Sequence, residues 1–184
     1  MPASIANAPL RTAALDDVTA LVELVTRCYR GDSSRVGWTT EADLLDGERI
    51  DPALLQADIT RPFSRVIVAE HDQHILACAH VCRDGDAGYF GMFAVAPRLQ
   101  NSGLGTRILA ECERIVAKEW QLPVLRMTVI EQRPELIAYY LRRGYGRSGE
   151  FLPFPYGDPR FGLPKRDDLR FVVLHKDLRT KATA

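Results

Sequence analysis

The segment Val95-Ala96-Pro97-Arg98-Leu99-Gln100-Asn101-Ser102-Gly103-Leu104-Gly105-Thr106 joins two apolar runs of different period. Upstream, Tyr89 to Val95 is short and aromatic, as a strand is; downstream, apolar residues recur at helical spacing through Leu109 and Ile115 to about Lys118. The order is therefore strand, glycine turn, helix. The first N–H groups of a helix have no acceptor within it and lie at the positive end of its dipole, so such a turn stabilises an anion such as a pyrophosphate. Gly103 and Gly105, lacking a Cβ, let that anion approach the backbone, and Pro97, which donates no ladder hydrogen bond, ends the strand.

Other glycine-rich phosphate loops fit the stretch poorly. A P-loop ends in Gly-Lys-Ser/Thr, whereas Gly105 is followed by Thr106 and Arg107, and the dinucleotide fingerprint needs a third small residue where Ile108 stands.

The 184 residues, 46% of them hydrophobic, suffice for one well-filled domain over 1–184. Lys plus Arg equals Asp plus Glu at 24 each, so no net charge draws the chain to nucleic acid or an anionic membrane. Met1 to Pro9 lacks a basic patch followed by an apolar core, and no run of 18 apolar residues occurs, so a soluble, unexported, cytoplasmic protein is expected. Cys28, Cys78, Cys82 and Cys112 fall inside expected strands or helices and read as reduced core thiols. Cys78 and Cys82, four apart on a strand, would stand about 13 Å apart, too far to share a metal ion, and no metal site is expected.

Outward from the glycine turn the elements follow in order. Leu10 to Ala13 reads as a strand, and Val18 to Cys28 as a helix behind Asp16-Asp17. Gly31 to Gly47 is a polar connection carrying Trp38. Pro52, placed at a first helical turn after Asp51, starts a helix to about Ile59. Arg65–Glu70, His74–Cys82 and the strand into the glycine turn form a meander. Val124–Ile130 is a buried strand, Pro134 opens a helix that Gly144 stops, and Tyr145–Phe151 and Leu169–His175 are the last strands. Arg179 to Ala184 reads as a disordered tail.

Val95-x-Pro97 followed by Gln100-x-x-Gly103-x-Gly105 resembles the acyl-CoA motif of the GNAT superfamily of N-acetyltransferases: Arg or Gln, two residues, Gly, one residue, Gly or Ala. The element order over about residues 8–178 resembles that fold as well. The resemblance implies an α/β (α+β) architecture, with a central mixed, mostly antiparallel seven-stranded sheet flanked by four helices, and acetyl-CoA as acyl donor. Phe93, Ala94 and Val95 would then pair with the pantetheine arm, and Gln100, Asn101, Ser102, Gly103, Leu104, Gly105 and Thr106 would take the pyrophosphate. The family's fourth and fifth strands are parallel neighbours that splay apart, which opens a slot for thioester and amine.

Within the resemblance, Tyr140, four residues before Gly144, matches the general-acid tyrosine of a Tyr-x-x-x-Gly-aromatic pattern; read alone it is a core tyrosine on an apolar helix face. The glutamate many members carry on the fourth strand is missing from Tyr-Phe-Gly-Met-Phe-Ala-Val. Glu131, at the end of the following strand, is the nearest candidate base, with a water chain, Glu41, Asp46, His80 and His175 as alternatives. Arg133 stands where the family often has an asparagine on the pantetheine arm; it reads either as a phosphate contact or as a solvated loop charge.

For the acceptor, Trp38 reads as a pocket wall or a core plug. Glu41, with Asp43, Asp46 and Glu48, reads as an ammonium-attracting patch or an ordinary solvated face. Tyr156 belongs to a proline-stiffened aromatic segment that suits a pocket wall. The expected partners are acetyl-CoA and a small or amino-acid-like primary amine, with a peptide N-terminus or lysine as alternative acceptors and a homodimer left open. A non-catalytic acyl-CoA sensor is the reading of another class.

Overall fold

The computed structural model describes residues 3–179. Its elements are α1 (Ala3–Ala6), β1 (Leu10–Thr12), α2 (Val18–Tyr29), α3 (Gly31–Ser34), β2 (Leu45–Asp46), α4 (Pro52–Thr60), β3 (Ser64–His71), β4 (His74–Asp84) and β5 (Ala87–Val95). After the glycine turn come α5 (Leu104–Arg114), β6 (Val124–Ile130), α6 (Pro134–Leu141), β7 (Gly146–Pro153), β8 (Leu163–Pro164) and β9 (Arg170–Asp177). Seven strands form one sheet in the order β1-β3-β4-β5-β6-β9-β7, in which only the β5–β6 pair is parallel. The expected mixed, mostly antiparallel seven-stranded sheet is present, flanked by four helices of eight residues or more, α2, α4, α5 and α6.

Alternation along the strands sorts side chains to the two faces. Val66 and Val68 of β3 pack with Leu21, Leu24 and Val25 of α2 and Leu55 of α4. Ile67 and Ala69 face the other way, onto Leu104 and Ile108 of α5 and Ile137 of α6. Helix starts follow local chemistry. The Asp51 carboxylate accepts from the N–H groups of Ala53 and Leu54 ahead of Pro52, as the sequence predicts for α4. The helix after the glycine turn does run to about Lys118, but its last turn, Ile115–Glu119, widens to a π-helix.

Two features escaped the sequence. Leu45 and Asp46 pair with Pro164 and Leu163, so the polar 31–47 connection and the proline-rich 153–168 connection form a small second sheet. Lys165 fastens it, donating to the Ala42 carbonyl at 2.7 Å and pairing with Asp46 at 2.9 Å. Two-residue strands offer no periodicity to read. Of the expected tail, Arg179 is described and paired with Asp177; 180–184 lie outside the described residues.

Candidate active site

The parallel pair holds only at Gly88–Leu125 and Tyr89–Arg126. Beyond it β5 continues to Val95 and β6 to Ile130 without bonding, so the strands splay. A bulge starts the divergence: His80 faces Gly91 and Cys78 faces Ala94, which sets three steps of β5 against two of β4. Met92, at φ 45°, takes up the extra residue. Alternation is thereby broken, and Phe90 and Val95, an odd number apart, serve the same core face. Between the splayed strands lies a cavity of about 400 Å³, within the usual size of a small-molecule site, walled by Met92, Phe93, Val129 and Ile130 with Leu54 of α4 and Tyr140 of α6.

The glycine turn borders a second, smaller cavity of about 70 Å³. Gly103 sits at φ 92°, a conformation that L side chains rarely adopt, with open space around it. The first backbone bond into α5 is Arg107 N–H to the Gly103 carbonyl, so the N–H groups of Leu104, Gly105 and Thr106 precede it as an anion site requires. Gly105 has another reason: a Cβ there would stand 3.0 Å from Phe93 Cζ. Leu104 is fully buried and contributes only backbone here. Arg143, which sequence reasoning passed over, lies with its guanidinium 3.4 Å from the Tyr139 ring centre and donates to Thr106 Oγ1 at 3.3 Å. Its Nε is buried without a partner, as is Ser102 Oγ, two donors beside the turn that fit a phosphate-bearing ligand.

Gln100 is placed differently from expectation. Its Oε1 accepts the Trp38 N–H at 2.9 Å, and its Nε2 donates to Thr39 Oγ1 at 2.9 Å and to the Val95 carbonyl at 3.3 Å. The amide is spent on clipping the 37–39 loop to the strand end, leaving none of it for a pyrophosphate. Asn101, at φ 64°, lines the small cavity, and Trp38 stacks on Tyr139 with centroids 5.3 Å apart. Trp38 therefore walls the glycine-turn side rather than the larger cavity. Ala94 is fully buried in the α2-side core, while Phe93 and Val95 border the glycine-turn slot; the carbonyl of Phe93 accepts from the Tyr29 hydroxyl.

Tyr140 lines both cavities. Its ring is wedged edge-on against Phe90, Tyr139 and Tyr145, and its hydroxyl has no hydrogen-bond partner among the described residues. Burial holds the phenol well above its ordinary pKa, so it keeps its proton at physiological pH. Tyr139, one residue earlier, is turned to the glycine side alone.

Glu41 does not present an ammonium-attracting face. It is buried, and Arg30 Nη1 lies 2.6 Å from its carboxylate, with Arg49 Nε and Arg133 Nη1 each at 3.5 Å. Burial alone would raise its pKa; the charges of Arg49, Arg30 and Arg133 outweigh that and hold it below the usual carboxylate range. Asp43 and Asp46 are paired with Arg35 and Lys165. The sequence sets four carboxylates side by side, but three are paired: Glu41 with Arg30, Arg49 and Arg133, Asp43 with the nearby Arg35, and Asp46 with Lys165. Arg133, only 2% exposed, is no solvated loop charge; it borders the larger cavity and not the glycine turn.

Glu131 and Tyr156 are not brought to the cavities. Glu131 is gripped by Arg170 through contacts of 2.5 and 2.9 Å, which hold its carboxyl below the usual range, and it borders neither cavity. Tyr156 donates its hydroxyl proton to the Arg166 carbonyl and accepts the Leu169 N–H, closing its own loop; Phe154, Arg160 and Phe161 are the segment's cavity residues. His80 does reach the cavity. Ser64 Oγ donates its one proton to the Asp58 carbonyl at 2.6 Å, so it accepts from His80 Nε2 at 2.8 Å, and Nδ1 is left as a lone pair. Burial, outweighing Asp58, lowers the imidazole's pKa and keeps it neutral.

The splayed parallel pair with a helix start at its mouth is the site the fold presents, and comparison with known proteins gives its class. The sequence model of the acetyltransferase (GNAT) family matches residues 18–145, and the chain belongs to that family: it is an acyltransferase. Ribosomal-protein-S18-alanine N-acetyltransferase from Escherichia coli has a similar structure, with TM-score 0.68, 13% identity, and coverage of 96% of this chain and 98% of that one. Ribosomal-protein-alanine N-acetyltransferase from Brucella melitensis gives 0.68 at 20% identity, over 92% and 99%. The PaiA N-acetyltransferase of Thermoplasma acidophilum, solved with coenzyme A, gives 0.66 at 15%, over 92% and 98%. No curated protein matches the sequence. None of the described helices is long and apolar enough to cross a membrane.

Proposed function

We propose that the enzyme transfers an acetyl group from acetyl-CoA to the primary amine of a small molecule, by direct attack within a ternary complex. The position of the unpartnered Tyr140 hydroxyl, between the glycine-turn slot and the larger cavity, carries this reading. Phosphates would lie against the backbone N–H groups of Leu104, Gly105 and Thr106 with Arg143 beside them, and the thioester would reach the splay past Phe93. Holding amine and thioester in line supplies up to about 7–11 kcal/mol in favourable cases. Tyr140 then gives its proton to the departing thiolate and regains one as the acylated nitrogen sheds its own. His80 Nδ1, rather than Glu131, receives the proton of the incoming ammonium.

The test is thiol release from acetyl-CoA against a panel of primary amines, amino acids and short peptides. Turnover with small amines supports the reading; turnover with peptides alone redirects it to a peptide or protein N-terminus. Silence across the panel, in a protein that binds acetyl-CoA, overturns it in favour of a sensor.

A further inference from the structure

The larger cavity is bordered by more guanidinium N–H donors than its own residues accept. Around Glu41 stand three guanidinium groups from distant segments, Arg30 after α2, Arg49 before α4 and Arg133 at the start of α6. Arg30 satisfies the carboxylate, at 2.6 Å, and is held from behind by the carbonyls of Tyr29 and Glu48. Arg49 and Arg133 stand farther out, each 3.5 Å from the same carboxylate and beyond good hydrogen-bond geometry. Arg49 leans on the Tyr29 ring at 4.8 Å and donates no hydrogen bond among the described residues. Arg133 spends Nη2 on the Trp38 carbonyl and Nε on Glu135, but Nη1 is buried without a hydrogen-bond partner. A buried guanidinium N–H with no hydrogen bond, 3.5 Å from its nearest carboxylate oxygen, is costly, and a second oxyanion is the group that relieves it.

The other charged groups on the wall are engaged elsewhere. The Asp51 carboxylate caps α4, Asp58 is paired with Arg61 at 2.9 Å, and Arg160 is paired with Asp158.

Resting on the transferase reading above, we propose that the acceptor is an amino carboxylate, its carboxylate seated between Arg49 and Arg133 and its amine directed to Tyr140. Arg133 is the residue that precedes α6 and Tyr140 lies two turns into the helix, and both border the larger cavity. Leu54, Phe154 and Phe171 give the rest of the wall an apolar character, which selects a hydrophobic side chain on that amino acid.

The test offers hydrophobic amino acids, their carboxamides, their decarboxylated amines and the matching aminophosphonates as acceptors. The same compounds are titrated by calorimetry without acetyl-CoA. Amino acids are expected to bind roughly 10- to 100-fold more tightly than their carboxamides, with a matching preference in kcat/KM. Arg49→Gln, at a partly exposed position, should remove that preference, and Arg133→Lys, which keeps the charge, should reduce it. Equal use of amino acids and carboxamides overturns the subsite but leaves acetyl transfer standing. Preference for the aminophosphonate overturns the carboxylate assignment. Carboxylate binding that depends on Arg49 but leads to no turnover retains the subsite and overturns the transferase reading, whereas neither binding nor turnover overturns both.

Discussion

Gln100 Oε1 accepts the backbone N–H of Trp38 at 2.9 Å across 62 residues of chain, and this bond ties the connection after α2 to the strand end that opens the glycine turn. The same amide holds Thr39 and the Val95 carbonyl, so one side chain sets where Trp38 stands against Tyr139. Substituting Gln100 by Ala removes three hydrogen bonds and leaves a half-buried N–H unpaired. A stability loss of about 1–3 kcal/mol is expected in chemical denaturation. The acetyl-CoA KM should rise as the Trp38 wall loosens.

Gly103→Ala asks a left-handed turn of a residue with a Cβ. Nothing lies within 4 Å of that Cβ, so the cost is conformational, about 1–2 kcal/mol. Gly105→Ala instead brings a Cβ to 3.0 Å from Phe93, and its effect should fall on cofactor affinity as that ring is displaced into the slot. Calorimetric titration with coenzyme A, beside thermal denaturation, separates the two outcomes.

Tyr140→Phe should lower kcat by roughly 10²–10⁴. Because no described group bonds the hydroxyl, stability should change by less than about 0.5 kcal/mol, and acetyl-CoA affinity should hold. An unchanged kcat would remove Tyr140 from the chemistry. The phenol stays protonated far into the alkaline range, so it should impose no basic limb near neutrality.

His80 is expected to set the acidic limb of kcat/KM. Its folded pKa lies below the ordinary value of about 6.5, so activity should persist below that pH before falling. Asp58 and Arg61 act on it with opposite sign, and burial outweighs both. The linked stability has the same direction: present above the unfolded pKa, it is lost as pH drops through the folded one, because the unfolded chain binds the proton first. His80→Gln should cost about 10²–10⁴ in rate and abolish the limb. A pH–rate profile of both proteins decides it.

Glu41→Gln withdraws the one carboxylate from three crowded guanidinium groups. Truncating one partner of a buried ionic cluster costs about 3–5 kcal/mol, measurable by denaturant titration. Glu41 has its pKa lowered by folding, so its stabilisation is present above the unfolded carboxylate pKa of about 4.3 and is lost as pH falls through the folded value. Wild-type stability should therefore decline more steeply in acid than that of the variant.

Local chemistry was legible in the chain alone. The Asp51-Pro52 helix start, the strand and glycine turn at 95–106, the buried strand 124–130 and the helix carrying Tyr140 all rest on periodicity, caps and turn residues that act within a few positions. The mixed seven-stranded sheet and the slot between its parallel strands follow instead from the resemblance carried by Gln100-x-x-Gly103-x-Gly105 and the element order. The partners of charged side chains were not legible. Glu41 reads as an exposed acid beside other acids, and only the fold brings Arg30, Arg49 and Arg133 around it. Glu131 at a strand end looks like a base until β9 delivers Arg170. His80 reads as one alternating strand residue until the Ser64 and Asp58 contacts set its tautomer. Backbone conformation follows mainly from neighbours in sequence, whereas the charge, tautomer and availability of a side chain depend on what lies a few ångströms away in space, and that is decided by tertiary packing.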